Sequence, residues 1–73
     1  MFLNDRKLAM RHFKEAVRFN PHNIMALNNL GLCYISQGDF KEAERLLKEA
    51  LSLDKSFSLA EKNLQRLLKK EKF

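Results

Sequence analysis

The chain has few of the residues that build disulfide or metal-held frameworks. Cys33 is its only cysteine, so an internal disulfide is impossible and a cysteine-based metal site is not expected. One proline and two glycines leave few residues that interrupt a helix. No apolar run approaches the ~20 residues that a membrane-spanning helix needs, and Met1-Phe2-Leu3 is too short for a signal peptide. A lone thiol is compatible with a reducing compartment, so we expect a cytoplasmic, intracellular protein.

The small size and the charge limit what the chain can be. Its 73 residues allow one small domain, whose core supplies about 3–5 kcal/mol at most without a staple. The net charge of +5 comes from both ends: residues 1–23 carry five Lys/Arg against two Asp/Glu, and residues 58–73 carry the same numbers. This excess indicates either solvated helix faces or a surface for an acidic partner.

Apolar spacing predicts four helices. The first begins after a cap at Asn4 or Asp5 and ends at Asn20, before Pro21. The second covers Ile24–Ser36, the third follows a cap at Asp39 and ends near Leu53, and the fourth covers about Phe57–Glu71. The residues expected on the inner faces of helices one, three and four are Ala9, Met10, Phe13, Ala16 and Val17; Phe40, Ala43, Leu46, Leu47, Ala50 and Leu51; and Leu59, Ala60, Leu64, Leu67 and Leu68.

The stretch from Leu30 to Ala43 predicts a tight helical hairpin. Gly31 and Ala43 have little side chain, so two helix backbones can approach closely there. Leu30, Tyr34 and Phe40 are expected to pack around this contact. Gly38 suits the left-handed position that ends a helix.

The sequence repeats itself at a spacing of 34 residues, which is typical of solenoid proteins. Positions that are 34 residues apart carry residues of similar size, small with small and large with large. The equivalent pairs include Ala9 with Ala43, Phe13 with Leu47, Ala16 with Ala50, Ala26 with Ala60, and Asn29-Leu30 with Asn63-Leu64.

This pattern resembles the tetratricopeptide repeats. The residues that carry the resemblance are Leu27, Leu30-Gly31, Tyr34, Gly38-Asp39-Phe40, Ala43, Leu47 and Ala50. The resemblance implies an all-α fold, a right-handed antiparallel helix-hairpin solenoid of four helices. It divides the chain into the second helix of an incomplete repeat (1–22), a complete repeat (23–56) and a C-terminal capping helix (57–73).

Departures from the family pattern carry further expectations. Leu27 replaces the commoner tryptophan, Lys55 the usual proline, and Arg6 a large aromatic residue. Gln65 stands where Gly31 stood and Glu61 where Leu27 stood, so the fourth helix is expected to cap the end of a longer array. Helix one lacks its hairpin partner, and we expect homo-oligomers formed by self-association through that helix, with helix exchange as one route.

Catalysis has no support among the residues that usually perform it. His12 and His22 lack a partner at a useful spacing, and Cys33 is expected to be a small core residue. The serines lie near helix ends, where capping explains them. The two glycines form no phosphate loop. We therefore expect no enzyme activity, no metal and no cofactor.

The resemblance implies a non-enzymatic scaffold that binds a protein or peptide, with an acidic ligand as one possibility. The first helix of each hairpin would line a concave groove, here with Met25, Asn28, Asn29, Leu32 and Ile35/Ser36 from helix two and Leu59, Lys62, Asn63, Arg66 and Lys69 from helix four. The alternative is a terminal cap or self-association segment without its own ligand. The aromatic residues are not interleaved with Lys/Arg, so nucleic acid is not expected. Leu59 and Asn63 stand where a chaperone-tail clamp needs basic residues, which disfavours such tails.

Overall fold

A computed structural model describes residues 6–69 as four helices. They are α1 (Arg6–Phe19), α2 (Ile24–Ser36), α3 (Phe40–Leu53) and α4 (Ser58–Leu68). Each helix packs against the next one along the chain, and α2 also contacts α4. The predicted all-α, right-handed antiparallel helix-hairpin solenoid is confirmed. Among the described residues, no helix has the length and apolarity needed to cross a membrane.

Side-chain caps and one glycine set the helix boundaries. The Asn23 side chain accepts a hydrogen bond from the Ala26 amide at 3.1 Å, and Asp39 accepts one from the Glu42 amide at 3.4 Å. Gly38 has φ of 82°, a left-handed conformation that glycine adopts without strain. These features confirm the predicted starts of α2 and α3.

The ends of α1 and α4 differ from the prediction. Helix α1 ends at Phe19, one residue earlier than expected. Helix α4 begins at Ser58, because Phe57 occupies the N-cap position and has no side-chain acceptor for the free amides. The helix ends at Leu68. The expected caps Asn4 and Asp5, and the predicted end at Glu71, lie outside the described residues.

The core lies where α3 packs between α2 and α4. Leu27 and Leu47 are its largest fully buried side chains, and Ala43, Ala50 and Ala60 are also buried. A Cβ placed on Gly31 would lie 3.2 Å from the Leu47 side chain and 3.5 Å from the Ala43 carbonyl oxygen. The expected close approach is therefore present, but Leu47, rather than Ala43, is the nearest neighbour of Gly31.

Some residues expected on inner faces are exposed. Phe40 is 53% exposed because it is the first residue of α3, and helical side chains lean toward the N-terminal end of their helix. Leu59 and Leu68 near the two ends of α4 are also exposed. For these three residues the prediction of an inner position was wrong, since helical spacing does not show where a neighbouring helix stops.

Helix α1 is only partly covered. Met10 is buried, while Phe13 and Val17 are partly buried against the core. The Gln37 amide nitrogen lies 3.2 Å from the Met10 sulfur, and the Lys14 ammonium lies 5.9 Å from the centre of the Tyr34 ring. Phe19, in contrast, is 77% exposed, and Leu8 is also exposed.

Candidate functional site

An open depression lies along α4. Its volume is about 310 Å³. The lining residues all belong to α4: Leu59, Lys62, Asn63, Gln65, Arg66 and Lys69. The structure therefore brings together every predicted site residue of this helix. Gln65 was expected only as a solvated residue, and it lines the depression as well.

Three cations form a stripe along this depression. Lys62, Arg66 and Lys69 follow one another at i, i+4 and i+7, which places them on one face of a helix. All three are exposed, so each can reach a ligand while it keeps contact with water. A row of exposed cations beside a concave surface attracts carboxylates and raises the rate at which an acidic ligand arrives.

The predicted residues of α2 contribute an uncharged surface outside this depression. Met25 is exposed, and Asn29 and Leu32 are half-buried. Leu32 also packs against the core. Because α2 contacts α4, these residues belong to the neighbouring helix of the same layer, but none of them lines the depression itself.

Asn28 has a different place from the one predicted. It is 2% exposed, so it does not present a side chain to the groove surface. Its side-chain oxygen accepts a hydrogen bond from the Asn63 amide nitrogen at 3.0 Å. The bond joins α2 to α4 over 35 residues of sequence. Sequence reasoning missed this pair because it compared positions 34 apart, whereas the bonded residues are not equivalent in the repeat.

Comparison with protein families identifies the hairpin. The family described as "Tetratricopeptide repeat" matches residues 24–57. This span contains α2, the Gly38 turn and α3. Residues 24–57 belong to the tetratricopeptide repeat family. Tetratricopeptide repeats are protein–protein interaction modules, and these helices form such a module.

Longer proteins contain segments similar to this repeat protein. A protein O-mannosyl-transferase of Caenorhabditis elegans is 37% identical over 59 residues, which cover 81% of this chain and 9% of the relative. The probable UDP-N-acetylglucosamine–peptide N-acetylglucosaminyltransferase SPINDLY of Arabidopsis thaliana is 37% identical over 57 residues, with coverage of 78% and 6%. The Hsp70-Hsp90 organizing protein 3 of Arabidopsis thaliana is 32% identical over 50 residues, with coverage of 68% and 9%. The chain thus spans less than a tenth of each of these relatives.

In the part that the structure describes, no three His, Cys, Asp or Glu residues cluster as metal ligands. His12 and His22 are exposed. Cys33 is partly buried against the core, and burial raises the pKa of its thiol above the ordinary value. A raised pKa lowers the fraction of reactive thiolate at neutral pH.

Cys33 alkylation should follow unfolding. We expect iodoacetamide at pH 7 to modify Cys33 several-fold more slowly in the folded chain than in the chain unfolded by urea, because burial disfavours the thiolate. Mass spectrometry of timed samples measures both rates, and free cysteine in the same urea concentrations corrects for the solvent. A faster rate in the folded chain would instead identify an activated thiol and contradict the core assignment.

Proposed function

We propose that this chain is a non-enzymatic scaffold whose α2–α4 layer binds an extended acidic peptide. The observation that carries this proposal is the stripe of Lys62, Arg66 and Lys69 along the depression of α4. A cytoplasmic location and an acidic, rather than neutral, partner remain predictions. The division of the chain into a partial repeat at 1–22, a complete repeat at 23–56 and a capping helix at 57–73 is also a prediction.

The two helices offer different chemistry to one ligand. Helix α4 offers cations, which bind carboxylates through charge-assisted hydrogen bonds. Exposed Met25 on α2 and exposed Leu59 on α4 offer apolar surface. The half-buried side chains of Asn29 and Asn63 can bond peptide backbone, since an amide both donates and accepts. An extended peptide that alternates acidic and apolar residues matches this surface, because its successive side chains point to opposite sides.

The similarity of this chain to the Hsp70-Hsp90 organizing protein supports a protein as its partner. The Hsp70-Hsp90 organizing protein is named for two chaperones, and its similar segment covers most of this chain. In this chain, Leu59 and Asn63 are uncharged where the resemblance to a chaperone-tail clamp would require basic residues. We therefore carry over a protein partner, and not the chaperone tails.

Removal of two stripe cations should weaken binding of an acidic peptide. The probe is a fluorescent, N-acetylated Leu-Glu-Leu-Glu-Leu-Glu peptide. We expect Lys62→Ala combined with Arg66→Ala to reduce its affinity roughly 2- to 30-fold, since each of the two exposed ion pairs contributes about 0.2–1 kcal/mol. Fluorescence anisotropy at low and high salt measures the affinity, and binding should weaken as salt screens the charges.

The matched control is Lys41→Ala, which removes an exposed lysine of α3 that does not line the depression. This variant should bind almost as well as the wild-type chain. Equal affinities of the double variant and the Lys41 control would show that the stripe does not hold the peptide.

A second candidate function is self-association through α1. Phe19 and Leu8 are exposed, and their spacing of i and i+11 places them on the same helix face. Light scattering over a range of concentrations tests this candidate. A mass that rises with concentration in the wild-type chain, and stays at that of the monomer in Phe19→Ser, supports self-association. A constant monomer mass in the wild-type chain excludes self-association, including helix exchange. If the stripe also fails to bind peptide, the remaining alternative is a terminal cap without its own ligand.

A further inference from the structure

The geometry points to Asn28 as a positioning residue that fixes the direction of the Asn63 amide in the groove. Through this bond, Asn63 presents its carbonyl oxygen to the ligand, and this oxygen can accept a backbone N–H of the ligand. This inference rests on the proposed peptide binding for its ligand. The orientation of the amide can be measured in the chain without any ligand.

Burial makes the bond between the two asparagines costly to lose. Asn28 is 2% exposed, and its oxygen accepts from the Asn63 nitrogen at 3.0 Å. A buried amide oxygen that lost this donor would remain unsatisfied, which is unfavourable. The described residues have no buried side-chain nitrogen or oxygen without a partner, which agrees with a satisfied pair. One Asn63 N–H is therefore engaged toward α2.

The charges around Asn63 favour the same orientation. Asn63 shares the depression with Lys62 and Arg66, and it is only half-buried. A carbonyl oxygen is the negative end of the amide dipole, so it is stabilised on the side of the two cations. With the nitrogen bonded to Asn28, the oxygen is the group of Asn63 that can accept from a ligand.

This orientation narrows the class of ligand. Lys62 and Arg66 are one helical turn apart, about 6 Å along the axis, while side chains i and i+2 of an extended peptide are about 6.6–6.8 Å apart. A peptide with acidic residues at i and i+2 can thus reach both cations when it runs along α4. Asn63 lies on the α2 side of this stripe, where a backbone N–H of the same peptide can donate to it.

The repeat comparison separates this role from ordinary core packing. The residue equivalent to Asn28, 34 positions later, is Lys62, which is exposed. This repeat position is therefore buried in α2 but exposed in α4, so burial of Asn28 is not a general feature of the position. Leucine has the branched shape of asparagine without its polar atoms, and aspartate keeps an acceptor oxygen at the same place. These two substitutions separate the acceptor from the shape of the side chain.

The first readout uses the free chain with ¹⁵N labelling. We expect the Asn63 side-chain NH₂ signals to show one protected, hydrogen-bonded proton in wild type and in Asn28→Asp, and to lose that protection in Asn28→Leu. Thermal unfolding followed by circular dichroism identifies any variant that does not fold. Unchanged Asn63 signals in a folded Asn28→Leu would overturn the inference, whether or not any peptide binds.

The second readout uses the Leu-Glu hexapeptide and its singly N-methylated versions, one for each residue. We expect Asn28→Leu to weaken binding about 3- to 10-fold, with the affinity restored in Asn28→Asp. One of the N-methylated peptides should bind the wild-type chain more weakly than the unmethylated peptide does. The same two peptides should bind Asn28→Leu with equal affinity. If Lys62→Ala weakens binding while Asn28→Leu does not, the proposed function stands and the positioning role is wrong. If no peptide binds wild type, the proposed function fails, and the NH₂ signals alone decide the orientation of the amide.

Discussion

Leu47→Ala is expected to lower the free energy of unfolding by about 2–5 kcal/mol, the range for a buried leucine that leaves a cavity. Leu47 is fully buried and is the nearest neighbour of the space above Gly31. A helical core of this size has only about 3–5 kcal/mol in total. The variant is therefore expected to keep only a small part of this stability, with its urea transition shifted to much lower concentration. Urea unfolding followed by circular dichroism at 222 nm measures the loss.

Leu53→Ala is the matched control on the same helix. Leu53 is 39% exposed, so its truncation removes less apolar area and leaves no enclosed cavity. We expect a loss of less than about 1 kcal/mol for this change. If the two truncations destabilised the chain equally, the core would not lie at the contact between α2 and α3.

Gly31→Leu is expected to destabilise the hairpin by about 1–3 kcal/mol or more, because it forces a side chain into a closed contact. A Cβ alone would lie 3.2 Å from the Leu47 side chain, so the further carbons of leucine have no room unless α2 and α3 separate. Gly31→Ala is expected to be near neutral. The tight contact of the alanine Cβ with Leu47 costs free energy. The higher helix propensity of alanine compared with glycine, about 1 kcal/mol, offsets that cost. Urea unfolding of both variants checks this difference.

Gln65→Leu provides the control at the equivalent position of α4. Gln65 is exposed, so the same final side chain should change the free energy of unfolding by no more than about 0.5 kcal/mol. A double variant, Gly31→Leu with Leu47→Ala, should lose less than the sum of the single losses, since the cavity accepts part of the new side chain. Additive losses would mean that the two positions do not share a contact.

Much of the fold could be predicted because local signals agree with the repeat. Asn23 and Asp39 are good N-caps, Gly38 supplies the left-handed turn, and the start of each following helix is correct. The errors in the predicted inner faces have one physical source. Phe40 and Leu68 fit an apolar stripe but lie at helix ends, and spacing within one helix does not show how far the neighbouring helix extends.

The candidate site could be predicted only in part for a related reason. Lys62, Arg66 and Lys69 are neighbours on one helix, so their spacing alone places them together. The partnership of Asn28 with Asn63 depends on how α2 and α4 pack. Asn28 and Asn29 are adjacent in sequence, and the orientation of the helix about its axis decides which of them is buried. No pattern along a single helix contains that information.

Groove binding is tested most directly by titrating the ¹⁵N-labelled chain with the Leu-Glu hexapeptide and mapping the shifted amide signals onto the structure. Binding in the proposed groove predicts that the largest changes occur on α2 and α4, around Asn29, Leu32, Asn63 and Arg66. The same titration of the Lys62→Ala and Arg66→Ala double variant should give smaller changes at equal peptide concentration. Changes confined to the outer surfaces of α1 and α3, or no changes at millimolar peptide, would contradict it.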